Sequence, residues 1–388
     1  MKVNSKDAYI SIFLLGIVSL MGDIIYEGAR GLVPDYLKFL GVSAFIVGFI
    51  TGFGEFLGYG VRLISGVLAD ATKAYWFFIF LGYGLIISIP ILGFTNAWKI
   101  AVMLVLLERL GKAFRSPSRD AILSIVSKGV GAGKAFGIHE VLDQIGAVAG
   151  PIIVAALMFY TSNNYHLTFS FLILPFLMLL AALIYAYKKI KAKAAFELKV
   201  SASDKTVKLE KTFYVYTLAV ALNTVGLIPA SLILYKSSII LQPLNQQWII
   251  PLIYLLIQGV DASIALFAGY AYDKFGVKIL ILPFILSVFP SILAMVNSDL
   301  KMLMVAAVFF GIVLGMQESI YRAAVVNFAS ISNRGKAYGI FNTAYGAGFV
   351  LSGTIYGAMI DLKVSLILIM FFAVLTQVLA VAVLKKSY

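Results

Sequence analysis

Two stretches, GVLADATK at 66–73 and GYAYDKFGVK at 269–278, decide the fold. Each closes a long apolar run, and each places Asp four residues after Gly: Asp70 after Gly66, Asp273 after Gly269. The two Asp lie 203 positions apart in a chain of 388 residues, so they fall in matching places of two halves. Other pairs keep the register to within one residue, at offsets of 203 and 202. RDAILSIVS at 119–127 returns as RAAVVNFAS at 322–330, and GKAFGI at 133–138 returns as GKAYGI at 335–340. Self-similarity at a fixed offset marks a duplicated architecture.

Composition says where such a chain lives. Hydrophobic residues make up 61% and charged residues 13%, about half the charged share of a soluble domain. With a mean hydropathy of +0.98, too little polar surface remains to cover a water-soluble globule. Apolar runs of about 20 residues, long enough to cross a bilayer, recur from end to end. We read twelve of them: 8–37, 42–65, 74–95, 98–126, 132–160, 165–187, 212–236, 246–271, 277–297, 300–328, 335–360 and 364–384. The expected fold is an all-α integral membrane bundle in two six-helix halves, 1–187 and 212–388, joined by a basic linker at 188–211. The first run follows Lys2 and Lys6 with no small-residue cleavage site, so it reads as a spanning helix rather than a signal peptide.

Lys and Arg set the orientation. With the N-terminus inside, the outer side holds only Lys38, Lys99, Lys236, Lys301 and Lys363, while the linker alone brings eight Lys to the inner side. Both termini are therefore expected in the cytoplasm, in a cytoplasmic membrane. The net charge of +13 reads as a topology signal and a headgroup contact, not a nucleic-acid site. There is no Cys, which excludes disulfides and thiolate chemistry. His139 and His166 are the two His, and neither has metal-ligand spacing. No nucleophile elbow or phosphate loop is present, so neither an enzyme nor an ATP-driven pump is expected, and no cofactor or metal.

Charged groups inside spans are expensive and face a cavity or each other. The first span carries Asp23, Glu27 and Arg30. Asp23 and Glu27 are four apart and share a helix face; Glu27 and Arg30 are three apart and can meet. Glu55 lies in the second span, Glu108 and Arg109 in the fourth, Glu140 and Asp143 in the fifth, Asp261 in the eighth, Glu318 and Arg322 in the tenth. Two readings stay open for Asp23 and Glu27. A carboxyl group away from bulk water can hold a proton in one state and release it in another, which proton coupling requires. Alternatively they form a static pair with Arg30 or a base of the fourth span. Arg109 either tunes a nearby carboxylate or pairs with Glu108 or Glu140. Asn223, Gln258, Asn342 and Gln377 could bind cargo or tie helices together.

With these residues in view, the chain resembles the major facilitator superfamily. The loop after the eighth span matches that family's G-x-x-x-D-R/K-x-G-R/K pattern at Gly269, Asp273, Lys274, Gly276 and Lys278. The loop after the second span keeps Gly66, Asp70 and Lys73 but lacks the basic residue after Asp and the second Gly. GAVAGP at 146–151 looks like the family's antiporter-associated element, carried here by Gly146, Gly150 and Pro151. SLMGDIIYEGARGLVPDYL, ERLGKAFRSPSRDAILS and GKAFGIHEVLDQIGAVAGP look like a prokaryotic branch of efflux permeases. The resemblance implies a secondary transporter working by alternating access, with Asp70 and Asp273 as gate residues and proton-coupled efflux ahead of uptake or facilitated diffusion. Its expected partners are a small-molecule substrate, protons and membrane lipids, with no nucleic acid, and the expected state is a monomer. A membrane receptor or lipid-binding scaffold is the alternative from another class. Gate motifs in both halves weigh against it.

Overall fold

The computed structural model describes residues 5–127, 130–194, 209–296, 299–328 and 334–387. Most of the expected linker, and the end of one repeat motif, 329–330, lie outside them. Regular structure among the described residues is helical throughout. We label α1 Ser5–Phe39, α2 Ala44–Thr72 and α3, which runs Tyr75–Gly84 and continues through short turns to Phe94. Next come α4 Trp98–Val126, α5 Ala132–Tyr160 and α6, Tyr165–Phe171 and Ile173–Ala194. The rest are α7, Lys211–Val225 and Ala230–Leu241; α8 Ile250–Phe275; α9, Ile281–Leu286 and Val288–Val296; and α10, Leu300–Met316 continued by Arg322–Phe328. Last are α11 Arg334–Asp361 and α12 Leu366–Leu384. Among the described residues, nine helical runs are long and apolar enough to cross a membrane. The protein is a multi-pass membrane protein.

Local chemistry explains the helix ends. Gly41 turns at φ 82° and Val42 N–H reaches back to Leu37 O, a left-handed cap that closes α1. Gly276 at φ 62°, ψ −150° ends α8 in backbone space open only to glycine. Asn164 and Asp299 accept backbone N–H bonds at the starts of α6 and α10.

The chain forms two compact units, Met1–Leu32 with Leu57–Ala202, and Val33–Phe56 with Ser203–Tyr388. In the first, α1 packs on α5 backbone to backbone: a side chain on Gly150 would meet Ile24 O at 2.6 Å, and one on Gly146 would meet Leu20 O at 2.6 Å. Small residues permit this approach in lipid, where packing rather than hydrophobicity holds helices together. The helix runs on through Pro151. α3 packs on α4.

In the second unit, α8 packs on α10, and α7 on α11 and α12. The sequence suggested one unbroken span over 212–236. Instead α7 breaks at Gly226–Pro229 and runs on to Leu241. Proline at 229 removes one backbone donor, and neighbours satisfy the groups set free. Ser291 accepts from Ile228 N–H (2.9 Å) and donates to Gly226 O (3.0 Å), Tyr356 donates to Gly226 O (2.7 Å), and Ser352 donates to Leu227 O. Irregular backbone persists in a membrane only where it is satisfied in this way.

Candidate functional site

The first unit gathers its charges on facing surfaces of α1, α4 and α5. Glu27 accepts from Arg30 at 3.1 Å and lies 3.8 Å from Lys112 Nζ. Glu108 lies 3.6 Å from Arg115 and 3.7 Å from Arg109; Glu108 and Arg115 are each only 2% exposed. Spacings of four and three residues bring Glu108, Lys112 and Arg115 to one face of α4. The Tyr26 ring lies among three cations, Lys112 at 4.6 Å, Arg115 at 5.0 Å and Arg30 at 5.4 Å from its centroid. An aromatic face attracts cations electrostatically, most strongly away from water.

Asp23 sits one turn from Glu27 and is 6% exposed. No base lies within ion-pair distance of it among the described residues. The α1 face thus holds one carboxylate with two cations in ion-pair distance and one carboxyl group with none that close. Sequence spacing already offered Arg30 to Glu27; the placement of α4 adds Lys112.

A second cluster lies beside it. Arg119 donates to Ser19 Oγ (2.9 Å), pairs with Asp120 (3.0 Å) and lies 3.6 Å from Asp143. Asp143 in turn lies 3.3 Å from His139 Nδ1, and Ser19 bonds to Tyr83 OH at 2.9 Å. Glu140 is exposed and accepts from Gln144.

The second unit places neutral groups at its centre. Asn223 donates to Ser287 (3.0 Å) and Gln377 (2.8 Å), and accepts from Gln317 (3.1 Å) and Tyr321 (2.7 Å). Tyr345 donates to Gln317 at 2.9 Å. Gln317–Tyr321 is a π-helical turn inside α10; such turns recur at functional sites. Of the charged residues expected here, Asp261 is buried, Glu55 is half-buried, and Glu318 and Arg322 are exposed.

Also within the second unit, Val33–Phe56 is fastened to helices of the second repeat. Buried Asp35 accepts from Ser238 (2.5 Å) and Gln242 (2.9 Å), and Lys38 donates to Gln242 (2.5 Å). Asp361, at the end of α11, accepts from Ala44 N–H (3.0 Å) and Phe45 N–H (2.8 Å), capping α2 with a carboxylate. An anion there complements the helix dipole. Gly48 and Gly353 touch backbone to backbone.

The two opening motifs differ locally. Asp70 is exposed and accepts from Tyr75 OH at 2.6 Å, while Lys73 turns the chain at φ 56°. Asp273, Lys274 and Lys278 are exposed around the Gly276 turn. Gly66 faces Pro117 and Gly269 faces Ser319, so each Gly lets its helix approach a neighbour.

Comparison with known proteins agrees with this architecture. The Major Facilitator Superfamily pattern matches residues 213–388. An uncharacterized protein of Mycobacterium tuberculosis is 31% identical over 371 residues, covering 94% of this chain and 90% of the relative. An uncharacterized MFS-type transporter of Methanocaldococcus jannaschii is 25% identical over 350 residues, covering 88% of this chain and 86% of the relative. Among solved structures, peptide transporter POT superposes with TM-score 0.75 at 14% identity, covering 99% of this chain and 98% of that one. Nucleoside transporter NupG does so with TM-score 0.72 at 14% identity, covering 97% and 98%. A duplicated helical membrane bundle with charges buried inside it is the framework of a transporter, not of an enzyme. This chain belongs to the major facilitator superfamily.

Arg119, His139, Tyr26, Tyr83 and Ser19 were not singled out from the sequence as site residues, and Lys112 and Arg115 were read only as further charges of the fourth span. The signal available was spacing: Arg115 and Arg119 are four apart, as are His139 and Asp143.

Proposed function

We propose that this protein is a proton-coupled secondary transporter that exports a small molecule across the cytoplasmic membrane by alternating access. Asp23 carries the reading. It is buried, it shares a face with Glu27, and no base pairs with it among the described residues. A carboxyl group so placed binds a proton when the site is dry and gives it up when water enters. Glu27, held by Arg30 and Lys112, is the fixed ion pair that keeps Tyr26 and α4 in place.

The remaining parts follow the same logic. The two halves, 1–187 and 212–388, are joined at 188–211 and cross the bilayer twelve times with both termini inside. Trp98–Val126 and Arg334–Asp361 each count as a crossing although they lie outside the nine apolar runs. Gln247–Val296, 50 residues long, counts as two. Asp70 and Asp273 act as gate residues at the inner surface. Gly146, Gly150 and Pro151 serve antiport through the tight α1–α5 contact. The protein acts as a monomer among lipids.

The test is flux in proteoliposomes across a ligand panel, with and without a pH gradient. Asp23→Asn abolishes gradient-driven flux and leaves exchange at equal pH partly intact. Glu27→Gln lowers folded yield, and its residual flux keeps its pH dependence. Wild-type-like gradient-driven flux in Asp23→Asn sinks the coupling reading.

A further inference from the structure

His139 is a buried, titratable residue that the reading above does not use. It is 3% exposed, on α5 two turns from Ala132, or about 10 Å along the helix. Its Nδ1 lies 3.3 Å from Asp143 Oδ2, while its Nε2 is buried without a hydrogen-bond partner among the described residues. Asp143 Oδ1 is likewise buried and unbonded. A buried polar atom left unbonded costs about 1–3 kcal/mol. The contact thus leaves one acceptor position open on each partner, Nε2 of His139 and Oδ1 of Asp143.

The surroundings connect this pair to Asp23. Gly146, three residues after Asp143, lies against Asp23: a side chain there would come within 2.7 Å of Asp23 Cβ. Arg119 reaches both Asp143 and Ser19, and Ser19 lies one turn before Asp23 on α1. The two carboxyl groups therefore face each other across the α1–α5 contact within about one helical turn. In the other direction, α5 leads to Gly131, Ala132, Gly133 and Lys134, all exposed.

We propose that His139 and Asp143 form a proton-transfer site linking Asp23 to the Gly131 end of α5. The proposal rests on the proton-coupled reading. At rest, His139 Nδ1–H donates to the Asp143 carboxylate and Nε2 keeps its lone pair. An incoming proton bonds to Nε2. The Nδ1–H bond breaks as an O–H bond forms on Asp143, leaving a neutral ring with its hydrogen on Nε2. That O–H bond breaks as one forms on the Asp23 carboxylate, and exchange with water returns the ring to its starting tautomer. Release runs the steps in reverse. Arg119, pinned by Asp120 from α4, favours ionised Asp143, so the proton rests on His139 or Asp23 and only passes through Asp143. Tyr83 of α3 reaches the cluster through Ser19, and Glu140 points its charge to the exposed side.

With His139 and His166 the two histidines of the chain, the test is direct. The full chain, labelled with 15N-histidine in lipid nanodiscs, is titrated by NMR. The relay requires the His139 ring signals to respond to pH, and requires Asp23→Asn to change that response. His166, bonded to Gly93 O at 2.9 Å, does not respond to that substitution and serves as the control. A His139 ring that ignores pH, or a pH response indifferent to Asp23→Asn, overturns the relay. The wild-type titration needs no variant, so a misfolded substitution leaves it decisive. In proteoliposomes holding trapped pyranine, His139→Gln slows panel-driven proton flux at least about tenfold and spares exchange at equal pH. Wild-type flux that ignores the pH gradient defeats the parent reading. Coupled wild-type flux that His139→Gln leaves at full rate defeats the relay alone.

Discussion

The two units solve the problem of polar groups in a membrane in opposite ways. The first keeps α1, α4 and α5 as unbroken helices and buries full charges between them, with Glu27 and Glu108 each facing two bases. The second breaks α7 and distorts α10, and buries neutral amides and hydroxyls around Asn223. The repeat makes the contrast sharp. With Arg119 aligned to Arg322, Glu108, Arg109, Lys112 and Arg115 of α4 correspond to Gly311, Ile312, Gly315 and Glu318 of α10. Gly311 and Gly315 lie against Ile257 O and Asp261 O of α8. Where one half holds charge, the other holds a backbone contact. Duplication preserved the helical frame, and the chemistry diverged within it.

Breaking the charged side of this comparison has the largest expected effect. Glu108→Gln leaves Arg115 and Arg109 without their buried counter-charge. Removing one partner of a buried pair destabilises by about 3–5 kcal/mol. The expected result is a large loss of monodisperse protein in detergent, with Glu108→Asp recovering part of it. Asn223→Ala attacks the neutral side and strands four partners, at roughly 1–3 kcal/mol. The thermal midpoint in detergent falls, while the pH dependence of flux stays as in wild type. An altered pH profile in that variant would erase the functional distinction between the units.

A smaller effect is expected at the α2 cap. Asp361→Ala removes two charge-assisted bonds to Ala44 and Phe45, at about 1 kcal/mol. Faster hydrogen exchange at the first turn of α2, confined to that turn, is the measurement. The weakest perturbation is Glu140→Gln on the exposed face of α5, with a stability change within about 0.5 kcal/mol. If it matched Glu108→Gln in the same detergent assay, the assignment of burial on α5 would be wrong.

The frame was legible because lipid forces it to be. Long apolar runs, a fixed repeat offset and lysine asymmetry are local or additive signals, and they need no knowledge of which helix touches which. The site was legible only one helix at a time. Glu27 with Arg30 could be read from three-residue spacing. Separating Asp23 from Glu27 further required knowing that Lys112 of α4 comes within ion-pair distance of Glu27 and not of Asp23, which no spacing along α1 shows. Arg119 bonds to Ser19, 100 positions earlier, a contact that no local spacing announces. His139 had no neighbour in sequence to suggest its burial. The break in α7 was hidden for a related reason: Gly226 and Pro229 signal it, but the serines and tyrosine that make it tolerable come from α9 and α11.

Within the second unit, Val33–Phe56 is a helical hairpin around the Gly41 turn, held on one arm by Ser238 and Gln242 and on the other by Asp361. Both arms are tied to the same body within a few residues of the turn. The turn is therefore part of that body's scaffold and not a free loop, and a charge-removing substitution at Asp35 or Asp361 would loosen one arm and leave the other seated.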